Sequence, residues 1–262
     1  MNTPVNAPQP AYHTATTSDE IRANLADIRA RMHAACARAG RAPDEVRLLP
    51  VSKTVDVARI RMAYEAGCRI LGENKVQEAH GKWEALSAEL PDLEWAVIGH
   101  LQTNKARFVA RFAREFQALD NLRVAEALDR RLQQEGRSLD VFVQVNTSGE
   151  ASKFGLAPDQ VHDFARALPR YETLRVRGLM TLALFSSDEA HVRPCFVLLR
   201  TLRDQLRADA PQGDAFAELS MGMSGDFEWA IEEGATTVRV GQAIFGARKL
   251  PDSFYWPDPP TT

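Results

Sequence analysis

Lys53 follows the apolar run Leu48-Leu49-Pro50-Val51, separated from it only by Ser52. A primary amine at the edge of an apolar segment is partly desolvated. That lowers its pKa and makes it a nucleophile able to form a Schiff base. A solvated lysine that merely ends a strand is the competing reading, so the companions of Lys53 must decide. Two stretches near the other end of the chain are of a different kind. Leu219-Ser220-Met221-Gly222-Met223-Ser224-Gly225-Asp226 leads from an apolar run into a helical pattern. Small residues there let backbone N–H groups converge, and the start of a helix favours an anion. Val238-Arg239-Val240-Gly241-Gln242-Ala243-Ile244-Phe245-Gly246 puts an arginine and two glycines at the end of the next apolar run. Either stretch alone is an ordinary turn; together they read as a phosphate cradle.

Three further segments carry polar groups behind apolar runs. In Gly72-Glu73-Asn74, Asn74 can donate to a ring oxygen or, equally, cap a helix. Ile98-Gly99-His100-Leu101-Gln102-Thr103-Asn104-Lys105 suggests a ligand-facing loop, against a solvated helix start. Asn146–Gly155 is rich in small residues, carries Lys153, and has the character of a flap or of a plain surface loop.

The elements that position these groups alternate along the chain. Strands are expected at Val46–Lys53, Arg69–Glu73, Leu93–His100, Phe116–Asp120, Asp140–Asn146, Arg175–Leu182, Ala217–Gly222 and Thr236–Phe245. Most are nearly continuous apolar runs, as in parallel strands buried on both faces. Helical patterns lie between them at Asp56–Glu65, Lys75–Leu90, Thr103–Arg114, Leu122–Gln134, Pro158–Leu168, Glu189–Ala208 and Asp226–Glu233. Eight strands with seven helices predict a single α/β domain, a (β/α)8 TIM barrel in preference to an open doubly wound sheet. An extra amphipathic helix over Ser18–Ala39 is expected to fill the gap in the outer ring. Working residues in such barrels sit at the carboxyl ends of strands, and phosphate sites often use the loops after strands seven and eight. Lys53 after strand one and the cradle after strands seven and eight then suit a phosphorylated aldehyde, a description that pyridoxal 5′-phosphate fits.

Composition narrows the class. The 262 residues carry a net charge of −3, with 45% hydrophobic and 26% charged residues, as in an ordinary soluble globular protein. No basic block supports binding to nucleic acid or to a membrane surface, and no apolar stretch is long enough to cross a bilayer. Three widely spaced cysteines form neither a disulfide framework nor a zinc motif and fit a reduced, cytoplasmic compartment; the six histidines also lack ligand spacing, so no metal is expected. Residues 1–17 are Pro-rich before Ser18 and lack Lys, Arg, Asp and Glu, which predicts a disordered tail and no signal peptide. The domain is expected over 18–250, with a Pro-rich tail at 251–262.

The motifs resemble, in order, those of the YggS/PROSC family of pyridoxal phosphate homeostasis proteins. The matching stretches are Pro50-Val51-Ser52-Lys53, Gly72-Glu73-Asn74 with Gln77-Glu78, Ile98–Gln102 with Asn104-Lys105, Arg177-Gly178-Leu179-Met180, Leu219–Ser224, and Val238–Gly241 with Ile244-Phe245-Gly246. They run from about Ser18 to Arg248. The resemblance implies the type III pyridoxal phosphate fold of the alanine racemase amino-terminal domain, with the cofactor covalent on Lys53. It implies that Ser220, Ser224, Gly241 and the backbone at Gln242 hold the phosphate, with Met223 in the same loop, that Arg239 faces the pyridine nitrogen, and that Asn74 lies near the ring. Lys153 matches a loop lysine connected with cofactor release or transfer. Two positions depart from the family pattern. Gln242 stands where Thr or Ser is frequent, which removes a hydroxyl contact, and Val55 replaces a lysine found in some members.

Three functions are compatible with such a barrel: an amino-acid racemase, a carrier that stores, protects or delivers the cofactor, and a module that reports cofactor status to partners. Racemisation needs two acid–base groups on opposite faces of the substrate carbon. Lys53 serves one face, but Tyr12, Tyr64, Tyr171 and Tyr255 do not follow predicted strands, and no second-domain pattern follows the eighth strand. The expectation is a monomeric, non-catalytic carrier whose partners are pyridoxal 5′-phosphate and apo-enzymes that use it.

Overall fold

The computed structural model describes residues 12–209 and 215–247. Eight strands are present: β1 (Arg47–Pro50), β2 (Ile70–Glu73), β3 (Glu94–Val97), β4 (Glu115–Leu119), β5 (Leu139–Gln144), β6 (Leu174–Met180), β7 (Glu218–Ser220) and β8 (Thr237–Val240). They form one parallel sheet in the order β1-β8-β7-β6-β5-β4-β3-β2. The ends of that order meet through a parallel bridge between Val51 and Gly72, with the Ser52 amide donating to Gly72 O at 2.9 Å. The sheet is therefore a closed barrel, as the alternation of elements predicts.

Nine helices lie among the described residues. The first, α1 (Ser18–Arg38), starts in a capping box between Thr17 and Glu20 and buries the stripe Ile21, Leu25, Ile28, Met32 and Ala35. The others are α2 (Val57–Glu65), α3 (Val76–Leu86), α4 (Ala106–Phe112), α5 (Leu122–Glu135), α6 (Val161–Ala167), α7 (Glu189–Asp209), α8 (Phe227–Glu232) and α9 (Gln242–Phe245). Helix α1 packs against both α2 and α8, closing the outer ring. Arg38 of α1 donates to Glu228 and Glu232 of α8 at 3.0 and 2.6 Å. Among the described residues no helix is long and apolar enough to cross a membrane.

The strands contribute to two apolar clusters. Leu71, Trp95, Val97, Phe116 and Ala118 belong to the large shell between sheet and helices. Leu49, Val51, Ala96 and Ile98 form a separate small cluster, as alternation along β1 and β3 requires of residues facing the lumen. The other side of the lumen is polar. Arg47 Nη2 donates to Glu115 Oε2 at 2.8 Å, Gln117 Nε2 donates to Glu115 Oε1, and Ser220 Oγ donates to Gln117 Oε1 at 2.6 Å.

Three expectations change. The eighth strand stops at Val240, because the chain turns at Gly241 into α9 instead of continuing extended to Phe245. The first strand stops at Pro50, beyond which Val51 makes only the single bridge that closes the barrel. The described part of the proposed tail is packed: Ala15 is fully buried, its carbonyl accepts from Arg59 Nε at 3.1 Å, and Tyr12 O accepts from Ala247 N at 3.1 Å. Residues 1–11 and the tail at 251–262 lie outside the described residues.

Candidate functional site

A pocket opens at the carboxyl ends of the strands. Lys53, Asn74, Met223, Ser224, Arg239, Gly241 and Gln242 all line it. Its apolar walls include Val51 and Ile98 from the lumen cluster, and Leu182, Leu184 and Phe185 from the segment after β6. Of these wall residues only Ile98 lies in a stretch that reads as ligand-facing in the sequence; the others belong to short apolar runs, which read as core. Phe185 is 54% exposed, the largest exposure of any large apolar side chain among the described residues, and it sits at the rim.

Lys53 reaches the pocket because β1 alternates. Leu49 and Val51 face the lumen, and Lys53 is the next residue on that face. Its neighbour Ser52 is fully buried on the other face. Thr54, just beyond, has φ 66°, a left-handed backbone that a β-branched residue rarely adopts. Val55 is 5% exposed within the outer core. The position where some relatives carry a lysine is thus an apolar packing position here. Asn74 is brought in by a close approach of two loops. A Cβ on Gly99 would lie 2.2 Å from Asn74 O, so only glycine lets these backbones meet.

One side of the pocket is built from the loops after β7 and β8. Gly222 has φ 95°, and a Cβ there would lie 2.6 Å from Ala230 Cβ. This sharp turn carries Met223, Ser224 and Gly225 over the barrel end. Asp226 Oδ1 accepts from Met223 N at 2.5 Å and holds the turn. Burial pushes the Asp226 carboxyl up to about 6, partly offset by that hydrogen bond and by the nearby Arg239 and Lys153. Ser224 Oγ lies 3.4 Å from Ala243 N, linking the two loops. Among the described residues, no group accepts a hydrogen bond from the amides of Ser224, Gly225 or Gln242. Helices α8 and α9 are only one turn or so long, so these loop amides, rather than a helix dipole, are the groups that could meet an anion here.

Arg239 is 3% exposed, and burial lowers its pKa to about 10, which leaves it charged at neutral pH. Its Nη2 donates to Thr181 O and its Nη1 to Ser220 Oγ, both at 2.7 Å. This corrects the expectation for Ser220. The Ser220 side chain is fully buried beneath the pocket, and its hydroxyl is engaged by Arg239 and Gln117. It supports the arginine and does not line the pocket.

Lys153 is also off the pocket wall. Its Nζ donates to Ala183 O at 2.8 Å and pairs with Glu150. It thereby ties the loop after β5 to the segment that carries Leu182, Leu184 and Phe185. In the polar stretch after β3, only Ile98 lines the pocket. The ring of His100 stacks on Phe154, with centroids 4.0 Å apart and planes 11° from parallel, and its Nδ1 lies 3.6 Å from Asp120 Oδ2. The expected ligand-facing loop is thus an anchor for the loop after β5. Tyr12, assigned to a disordered tail in sequence, donates its hydroxyl to Ser224 O at 3.2 Å from behind the cradle. No local pattern announces that contact, since its partners are more than 200 residues away.

Residues 18–249 match the family model for the N-terminal domain of alanine racemase. The closed parallel barrel is the fold of that class. Within it, the chain is 41% identical over 230 residues to the pyridoxal phosphate homeostasis protein of Vibrio alginolyticus, covering 87% of this chain and 97% of that protein. It is 43% identical over 228 residues to the protein of that name in Pseudomonas aeruginosa, covering 87% and 96%. The chain belongs to the pyridoxal phosphate homeostasis protein family. A solved structure of PipY from Synechococcus elongatus with pyridoxal phosphate bound superposes with a TM-score of 0.76 at 37% identity, covering 86% of this chain and 100% of that one. An alanine racemase from Clostridium difficile shares the fold with a TM-score of 0.69 at 14% identity, and the match spans 58% of that longer chain.

Proposed function

We propose that this chain holds pyridoxal 5′-phosphate covalently through Lys53 and works in the cytoplasm as a carrier that stores, protects or delivers it to apo-enzymes. The observation that carries the reading is the convergence of the Lys53 amine, the Arg239 guanidinium and the Ser224–Gly225 and Gly241–Gln242 loops on one pocket. The residues fit the cofactor. When bound, it supplies an aldehyde that a primary amine takes up with loss of water, a phosphate and a pyridine nitrogen.

The amides of Ser224, Gly225 and Gln242, with the Ser224 hydroxyl, would take the phosphate. Gly241 lets the cradle loop lie close against the end of β1, since a Cβ there would lie 3.0 Å from Val51 O. Gln242 contributes through its backbone, so a hydroxyl at that position is not required. Arg239 would donate to the ring nitrogen. Its fixed positive charge disfavours protonation of that nitrogen and so weakens the electron sink that carbanion chemistry needs. Asn74 would lie along the ring.

A carrier role is supported by what surrounds Lys53. Among the described residues that line the pocket there is no tyrosine, histidine or cysteine, and the carboxyl of Asp226 is tied to the cradle turn. Racemisation needs a second acid–base group opposite the lysine. The cytoplasmic placement is supported by three free, buried thiols, Cys36, Cys68 and Cys195. The chain acts as a monomer in this reading.

The test is direct. Purified protein loaded with the cofactor shows a visible absorption band, and borohydride reduction leaves a labelled peptide that contains Lys53. Lys53→Ala loses both. An unchanged reduced adduct in that variant places the attachment elsewhere. Steady conversion of L-alanine to D-alanine by the wild type, abolished in Lys53→Ala, replaces the carrier by an enzyme.

A further inference from the structure

We propose that Lys82, Glu73 and Glu78 form a clamp that fixes the backbone on both sides of Lys53, making them positioning residues for its amine; the inference rests on the cofactor-holding role proposed for that amine. The clamp lies outside the barrel wall, between β2 and α3, and never touches the pocket.

Its geometry is specific to the Lys53 turn. Lys82 Nζ donates to Ser52 O, the carbonyl just before Lys53, at 2.9 Å. It donates also to Glu73 Oε1 at 2.8 Å and to Glu78 Oε1 at 2.6 Å. Glu73 Oε1 accepts from Ser52 Oγ at 2.6 Å. On the far side, Glu78 Oε1 accepts from Thr54 N, the amide just after Lys53, at 2.8 Å. Three side chains thus grip one residue before and one residue after the working lysine.

Two features of the clamp suit a positioning role. First, Glu73 is fully buried and Lys82 is 7% exposed. A buried ion pair loses much of its attraction to desolvation, and apolar residues of similar volume often serve stability as well. Its place around Lys53 accounts for it better than stability does. Second, Thr54 sits at φ 66°. Such a backbone persists only where the surroundings over-determine it. Glu78 supplies the hydrogen bond that holds Thr54 N in that orientation. If Thr54 relaxes to negative φ, the turn opens and the Cα–Cβ direction of Lys53 swings with it.

The clamp also separates the two lysines chemically. An ammonium group has three N–H donors. Those of Lys82 have three acceptors, Ser52 O, Glu73 and Glu78. The Lys82 ammonium is thus directed into the clamp, away from the pocket, whereas Lys53 lines the pocket.

The experiment mixes apo-protein with pyridoxal 5′-phosphate and follows the rate and midpoint of the visible band beside thermal unfolding. Glu78→Ala removes the acceptor of Thr54 N and leaves the Lys82–Glu73 pair. It is expected to fold and to form the band about tenfold more slowly, the size of one charge-assisted hydrogen bond. Lys82→Met is expected to slow it at least as much and to lower the melting temperature. Adding Thr54→Gly to Glu78→Ala is expected to recover part of the rate, since glycine takes positive φ without strain. If Lys82→Met does not fold, Glu78→Ala and its glycine double variant decide. Wild-type rate and midpoint in Glu78→Ala overturn the clamp, whatever happens to stability. Failure of the underlying reading looks different, because the wild type then forms no band or Lys53→Ala keeps it.

Discussion

The Ser220 hydroxyl accepts a hydrogen bond from Arg239 Nη1 at 2.7 Å and donates one to Gln117 Oε1 at 2.6 Å. Gln117 in turn donates to Glu115, and Glu115 accepts from Arg47 across the lumen. The arginine at the pocket floor is therefore held from below by a chain that crosses the barrel. Ser220 belongs to that chain, and Ser224 belongs to the cradle.

That division separates two serine variants. Ser220→Ala leaves a buried guanidinium N–H and a buried amide oxygen unpaired, and is expected to cost about 1–3 kcal/mol of stability. Its preference for pyridoxal phosphate over unphosphorylated pyridoxal stays near the wild-type ratio. Ser224→Ala is expected to keep stability and to lower that ratio several-fold. Titration of both compounds against each variant, beside denaturant unfolding, checks the pair. A reversed pattern returns Ser220 to the phosphate.

Lys153 bridges two loops through Ala183 O and Glu150. Lys153→Ala is expected to load normally on Lys53 but to release cofactor about five- to tenfold faster, the value of one ordinary hydrogen bond of about 1–1.4 kcal/mol. Stopped-flow transfer to an apo-enzyme acceptor measures this. Equal transfer rates leave Lys153 as a surface lysine.

His100 and Phe154 hold the same loop from the other side by stacking at 4.0 Å. An aromatic contact of this kind is worth about 0.5–1.5 kcal/mol, so Phe154→Ala is expected to speed release about two- to tenfold. Combined with Lys153→Ala the effect is expected to be less than the product of the two, because one loop carries both contacts. A double-mutant cycle on the release rate reads the coupling, and strict additivity argues for independent segments.

Burial pushes the Glu73 carboxyl up to about 7 against the pull of Lys82. The native state then binds this proton more tightly than the unfolded chain, whose carboxyl has the ordinary value near 4.5. The contribution of Glu73 to stability is therefore greatest below about 4.5 and declines as pH rises to about 7. Glu73→Gln is expected to flatten the stability profile across that window, by at most about 3 kcal/mol. Unfolding free energies from pH 4 to 8 for both proteins test the sign, and a steeper decline in the variant contradicts it.

Arg239 bears on the cofactor's electronics. With a charged guanidinium beside it, the pyridine nitrogen is expected to be unprotonated at neutral pH. Nitrogen NMR of labelled cofactor on the protein reports this state, and Arg239→Glu, where it folds, is expected to raise the nitrogen pKa. A protonated nitrogen in the wild type means that Arg239 faces something else.

The sequence by itself determined the barrel and the chain position of most pocket residues. Eight apolar runs alternating with helical patterns admit few folds, and residues at or near the ends of those runs, Lys53, Asn74, Ser224, Gly241 and Gln242, meet at one mouth because all the strands are parallel. Tertiary structure decided which way the strand residues point and what braces them. In runs buried on both faces the period-two signal is lost, so Ser220 and Ser224, four residues apart, are indistinguishable in type yet occupy the lumen and the cradle. The clamp of Lys82 on Ser52, the stacking of His100 on Phe154 and the contact of Tyr12 with Ser224 join residues 30, 54 and 212 positions apart. Such contacts follow from closure of the sheet and from the register of each helix on it, which no local stretch of sequence encodes.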